Sequence, residues 1–462
     1  MDNLLEWLFS KDQISQLPVR CQRTPSGGRG LVLIRDIDPQ TALFTIPARF
    51  LLNRFTIGHQ YPLSDTQLTS TQLLSLHLYL HRHDREDKFW PFISSLPEEF
   101  DTHPLTWIIQ TRGSGLYPIH STLLRLLPGS ARRPLNQVAD RFQDDVDTIR
   151  SYLKSARIGK WDHPDSGLDV DGFLWAWLNV NTRCLYLRIG QTSSMVEDLT
   201  LCPLVDFANH TGNPQLSSQF IPNYSPPSLF NPHVPTEPLS ITLTSRGAGP
   251  LKTGDEILLE YGSHSNTTLF SEYGFVLPRR SESDAGDIDL DDIIQDMLHP
   301  RGLLQGVLER WNYWHNWSIH TQPLPAHPSY RLLTVLRLIC LPAAAHASIV
   351  QDSQSTPSDP HLPWEPSADD TFDRWKATVL GLTDSISDRN EEQIRELLAS
   401  VCIRLQELSH TTLAQLDEEP ILKEKGKDGW ASYGFSCVQE LWTEVRDVAS
   451  QVHRSVVRGE EF

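Results

Sequence analysis

The apolar pattern of this chain changes period once, between about residues 280 and 295, and that change constrains the fold more than any other feature. Before it, short apolar runs of strand length are punctuated by glycine and proline. Leu31-Val32-Leu33-Ile34 follows the turn Ser26-Gly27-Gly28-Arg29-Gly30, and Thr41-Ala42-Leu43-Phe44-Thr45-Ile46 stops at Pro47. After it, apolar residues recur at helical spacing over roughly 291–318, 328–349, 388–416 and 430–457. One uniform architecture cannot satisfy both periods. With 462 residues, beyond the roughly 250–300 that one core serves, the pattern predicts a mixed α+β part and then an all-α part.

Within the first part, Leu73, Leu76 and Leu80 predict a helix from Thr69 to about His81. Val138, Phe142, Val146 and Ile149 predict another over Leu135–Leu153, and Phe173–Leu187 reads as an aromatic-rich buried helix. Prolines 214, 222, 226, 227, 232, 235 and 238 argue for a surface loop across that span. Glu256-Ile257-Leu258-Leu259-Glu260-Tyr261 returns to strand character. Seven acids and no base from Glu282 to Asp296 read as a solvated linker or acidic edge.

The formal charge is −18, from 58 acidic and 40 basic residues. That balance argues against nucleic-acid phosphate as the main partner and favours a lysine-bearing one. The six cysteines, Cys21, Cys184, Cys202, Cys340, Cys402 and Cys437, form no CxxC pair, and the acidic start does not resemble a secretory leader. Leu332–Val350 is interrupted by Arg337 and His346, so no membrane span is expected. The expectation is a soluble, monomeric protein of the cytoplasm or nucleus.

Several chemistries are disfavoured. The glycine turn is followed by neither a P-loop Gly-Lys-Ser/Thr nor a dinucleotide fingerprint. His77, His81 and His83 lack an HExxH glutamate and read as incidental histidines on a helix surface, so no metal is expected. No GxSxG elbow marks a hydrolase.

Two segments carry more. One is Leu201-Cys202-Pro203-Leu204-Val205-Asp206-Phe207-Ala208-Asn209-His210; the other is Gly254–Gly262, running on to Glu272-Tyr273-Gly274-Phe275. In this order, below the glycine turn, they resemble the SET-domain methyltransferases, and more closely the subgroup typified by the Rubisco large-subunit lysine methyltransferase. Gly28-Arg29-Gly30-Leu31-Val32, Trp90-Pro91-Phe92-Ile93-Ser94-Ser95-Leu96-Pro97 and Phe173-Leu174-Trp175-Ala176 with Thr182-Arg183-Cys184 match that subgroup in sequence order. So do Asn390-Glu391-Glu392, Thr411-Thr412 and Asp417-Glu418-Glu419.

The resemblance implies a β-rich SET domain over 1–285 with a helical insertion at about 65–165, then an all-α substrate-binding-like domain over 286–462. It implies S-adenosyl-L-methionine as cofactor and lysine N-methylation of a non-histone protein, with ribosomal or translation proteins as candidate substrates. Tyr261 matches the catalytic tyrosine. Gly28, Arg29, Gly30, Arg183, Asn209, His210 and Phe275 match cofactor-binding positions, and Asp206 and Tyr273 positions that shape the lysine site.

The family's usual Ser-Arg-x-Phe reads Thr182-Arg183-Cys184-Leu185 here, so an aromatic of the lysine channel is missing. That departure keeps open protein-histidine methylation on the same scaffold. A catalytically degenerate SET protein acting as a binding module is the alternative outside enzymes.

Overall fold

A computed structural model describes residues 1–24, 28–61, 67–114, 117–156, 167–187, 198–224, 238–278, 286–299, 302–354, 370–418 and 429–462. The chain packs into two compact units. The first comprises Met1–Asp101 and Gln137–His264, the second Thr102–Asn136 and Ser265–Phe462. Contacts therefore divide the chain at 264, twenty-odd residues before the change of pattern, and place 102–136 of the expected insertion with the C-terminal half.

The first unit is built on a seven-stranded sheet. Strands β1 (Val19–Arg23) and β2 (Arg29–Leu33) form a hairpin, from Val19 opposite Leu33 to Arg23 opposite Arg29. With β3 (Ala42–Pro47), β8 (Ser217–Tyr224), β9 (Pro238–Thr244) and β10 (Glu256–Leu259), the order is β1-β2-β10-β8-β9-β3. The short β7 (Asn209–His210) runs parallel to β10, Asn209 beside Leu258 and His210 beside Leu259. A second sheet has the order β4-β6-β5, from Leu52–Asn53, Leu199–Leu201 and Leu185–Tyr186. Leu31, Ile46, Leu52, Val180, Leu201, Ala208, Ile257 and Leu259 are buried in one core.

The helix expected from Thr69 runs over Ser70–His81, with the Thr69 hydroxyl accepting from the Gln72 N–H in a capping box. It packs against Val170–Arg183, capped by the Asp169 carboxylate. That helix stops at Arg183, short of the expected Leu187, because Leu185–Tyr186 pairs into the second sheet.

The expected proline-rich loop is corrected over 217–224, which is a strand. Only Ser217 and Ser218 of β8 pair with β10. Pro222 lies beyond that pairing and, among the described residues, has β9 alone as its ladder partner, opposite Ile241. Its missing N–H is tolerated because it sits where the strand has become an edge. Residues 225–237 of that span lie outside the described residues.

Among the described residues, the second unit is helical apart from a three-stranded sheet, β11 (Asp287–Asp289), β12 (Ser318–His320) and β13 (His327–Pro328). The single helix expected over 291–318 is two short ones, Asp291–Leu298 and Gly302–Arg310. Asn312, His315 and Asn316 all adopt positive φ, which no helix accommodates, and the chain turns there into β12.

Nor is the acidic run simply solvated. Asp291 is fully buried, accepting from the Trp317 N–H at 2.8 Å and paired with Arg133 and with His315 Nδ1 at 2.9 Å. Tyr330–Ile339 and Ala343–Gln351 are bent by 93°, and among the described residues no single helix is long and apolar enough to cross a membrane. Asp388–Glu418 packs against Gly429–Val457, whose Trp442 Nε1–H donates to the Leu126 carbonyl at 2.6 Å.

Candidate active site

Tyr261 lies two residues beyond β10, half-buried, and is held at both ends. Its backbone N–H donates to His210 Nδ1 at 3.1 Å, and its hydroxyl donates to the Ala208 carbonyl at 2.9 Å. The His210 and Tyr261 rings lie 5.0 Å apart between centroids. The parallel β7–β10 pairing thus brings the sequence-distant Asn-His and Tyr together. Accepting at Nδ1 fixes the neutral imidazole with its proton on Nε2, and burial lowers the His210 pKa, which favours that neutral form.

Asn209 faces the β1–β2 turn. Its Nδ2 donates to Glu256 Oε1 at 2.6 Å, and Thr24 Oγ1 lies at 3.5 Å. Gly30 permits this crossing, since a Cβ there would come within 2.8 Å of Asn209 Nδ2 and 2.7 Å of the Thr24 methyl. Gly28 has φ 74°, the left-handed conformation its turn requires. Gly27 lies outside the described residues.

A second cluster surrounds Phe207. Arg183, closing its helix, donates from one terminal nitrogen to the Asp206 carbonyl at 3.0 Å and to Asp206 Oδ2 at 3.1 Å. Arg29 lies over the Phe207 ring, 5.0 Å from its centroid, and donates to the Ser95 carbonyl at 2.8 Å. Arg183 approaches the same ring at 5.8 Å. Burial raises the pKa of Asp206, opposed by the two arginines.

Two buried polar atoms here have no protein partner: Arg183 Nε, a donor, and Asp206 Oδ1, an acceptor. Orphaned buried groups are costly, and a neighbouring donor and acceptor suit a zwitterion with one carboxylate and one ammonium. The amino-acid end of S-adenosylmethionine is such a group, so the residues present fit it.

Tyr273 and Phe275 belong to the second unit. They flank Gly274, which at φ 78° closes the π-helical turn Leu269–Tyr273, and their rings lie 6.1 Å apart. His103 packs on this turn, its Nε2–H donating to the Glu272 carbonyl at 3.2 Å while its Nδ1 accepts from the Leu105 N–H at 3.1 Å. A Cβ on Gly274 would lie 2.9 Å from the His103 ring.

Sequence reasoning passed over Phe207, the Ala208 carbonyl and Glu256. Phe207 and Ala208 stand inside the Asp206–His210 segment, but a backbone carbonyl carries no residue-type signal. The reading of surface histidines is corrected for His77, which is fully buried.

Residues 304–449 match the family model described as Rubisco LSMT substrate-binding. Rubisco LSMT bound to AdoMet aligns over 99 % of this chain and 93 % of its own, with TM-score 0.57 and 16 % identity. The chain has the LSMT-type SET fold. Among curated relatives of this LSMT-like chain, ribosomal lysine N-methyltransferase set11 of Schizosaccharomyces pombe is 27 % identical over 453 residues, covering 96 % of this chain and 95 % of the relative. Human SET domain-containing protein 4 is 24 % identical, covering 96 % and 88 %.

Proposed function

We propose that this chain is an S-adenosylmethionine-dependent protein-lysine N-methyltransferase acting on a non-histone substrate, and that this substrate is a ribosomal protein. The observation that carries the reading is the doubly held Tyr261. Full-length likeness to a ribosomal lysine methyltransferase supports the substrate class.

The cofactor supplies a methyl group on a sulfonium, transferred by in-line displacement. Everything else falls to the chain. Lysine is charged near neutrality, with an ordinary pKa near 10.4, so its amine must lose a proton and be held in line. The Tyr261 proton is committed to Ala208, so towards any other group the phenol oxygen can act only as an acceptor. Such an oxygen would orient an incoming amine and would favour positive charge building up beside it. Arg183 and Asp206 would hold the carboxylate and ammonium of the cofactor, Arg183 by a charge-assisted bond. Arg29, held by Phe207 and the Ser95 carbonyl, adds positive charge at the same end.

The test is incubation of the purified chain with methyl-labelled cofactor and unmethylated ribosomal proteins, followed by peptide mass spectrometry. Label on a single lysine is expected. Label on histidine, or no transfer to any ribosomal protein, would overturn the assignment.

A further inference from the structure

The geometry points to a divalent transition-metal site of the zinc class, formed by His77, His81 and Asp87 with Asp84 at its open side. His77 and His81 stand one helical turn apart on Ser70–His81, their rings 4.5 Å between centroids. Asp87 returns toward that turn from the segment after the helix. Its Oδ1 lies 3.7 Å from His77 Nε2 and its Oδ2 3.4 Å from His81 Nδ1, while Asp84 Oδ2 lies 3.2 Å from the same His81 nitrogen. One ligand atom from each of His77, His81 and Asp87 falls within 4.8 Å of the others. Tetrahedral bonds of about 2.0–2.2 Å put neighbouring ligand atoms roughly 3.3–3.6 Å apart, close to the 3.7 and 3.4 Å from the Asp87 oxygens to the two imidazoles.

An independent observation comes from His77. Its side chain is fully buried, and its Nε2 faces Asp87 without a hydrogen-bond partner. At 3.7 Å the carboxylate is too far to bond that nitrogen and far enough to share a cation with it. The other ring nitrogen, Nδ1, lies 2.8 Å from the Tyr61 hydroxyl, the outer hydrogen bond that fixes a ligating imidazole. Asp87 Oδ1 is likewise held by the Phe89 N–H at 2.7 Å. His81 and Asp84 are partly exposed and leave an entry path.

Two imidazoles and carboxylate select zinc-class ions over magnesium or calcium, which take oxygen ligands. Such an ion would tie residues 84–89 to the end of the helix. The same stretch continues through Trp90–Ile93 to Ser95, whose carbonyl holds Arg29. The role is structural: the ion would steady the segment that positions Arg29, without touching the reacting atoms.

The test titrates the metal-stripped full-length protein with Co²⁺ and, separately, with Zn²⁺ and Mg²⁺. One Co²⁺ per chain is expected, with visible d–d absorption of a nitrogen–oxygen ligand set and no thiolate charge-transfer band. Zn²⁺ should displace it and raise the Tm, and Mg²⁺ should do neither. His81→Gln, at a partly exposed position, should weaken Co²⁺ binding about tenfold or more. Asp87→Asn should do the same. If Asp87→Asn fails to fold, His81→Gln decides alone. A thiolate band, no saturable binding, or unchanged affinity in a folded His81→Gln protein would overturn the site.

Discussion

The Tyr261 hydroxyl and the Ala208 carbonyl meet at 2.9 Å, and this one bond fixes where the phenol oxygen points. The ring is held at its root by His210, so losing the hydroxyl should not release it. Tyr261→Phe should cost about 1 kcal/mol of stability, the net worth of one hydrogen bond. Methyl transfer should fall roughly 10²-fold or more, as when one preorganised group is removed. Cofactor affinity should change little, because the lost contact belongs to the reacting centre. Single-turnover methylation and cofactor titration on one preparation measure both. A normal rate would remove Tyr261 from catalysis, and lost cofactor binding would move it to the cofactor site.

Arg183 and Asp206 should prove coupled. Removing the guanidinium strands a buried carboxylate, a loss of about 3–5 kcal/mol where the charge cannot escape. Asp206 already has a raised pKa, so its burial costs stability above the unfolded value near 3.8 and not below it. Arg183→Ala raises that pKa further. Its penalty should therefore grow from pH 4 toward neutrality, and Asp206→Asn in the same chain should relieve part of it. Denaturant unfolding at pH 5 and pH 8 checks the sign. Both single variants should also show a smaller rise in Tm on adding S-adenosylmethionine than the wild type does.

The two candidate-site segments were legible in the sequence because each is contiguous. Asp206 to His210 and Glu256 to Tyr261 each form one short stretch, and the structure pairs them as parallel neighbours. Partition into units was not legible, because it rests on contacts distant in sequence, such as Trp442 with Leu126 and His103 with Glu272. Pro222 misled for a related reason: proline forbids a paired N–H, and only the observed pairing shows that none is needed there. The burial of Asp291 and His77 was hidden likewise, since their partners Arg133 and Tyr61 come from elsewhere in the chain.

Gly434 tests the packing of the C-terminal helix. A Cβ there would lie 2.9 Å from Trp107 Cζ2 and 3.1 Å from Leu123 Cδ1, and both neighbours are fully buried. Helix propensity alone favours Ala by about 1 kcal/mol. Overpacking against a ring that cannot yield costs about 1–3 kcal/mol and should win. Gly434→Ala should therefore lower the midpoint of denaturant unfolding. A raised midpoint would mean that Trp107 gives way.

His103 should make the protein acid-sensitive. It is buried between the Leu105 N–H and the Glu272 carbonyl, and burial lowers its pKa from 6.5 to about 4. Between those values the unfolded chain holds a proton that the folded chain excludes. Stability must then fall as pH drops below about 6.5 and level off below about 4. At pH 5 the loss from this residue alone is about 2 kcal/mol. Other buried histidines, His77 and His210 among them, shift in the same direction, so the wild-type curve reports their sum. His103→Asn isolates one share: its amide oxygen can accept from Leu105, and it cannot titrate. The variant should be less stable at pH 7, having lost the bond to Glu272, yet lose about 2 kcal/mol less than wild type on going from pH 7 to pH 5. Urea unfolding at the two pH values decides it. Equal losses in the two proteins would show that His103 takes up its proton without opening the turn at Gly274.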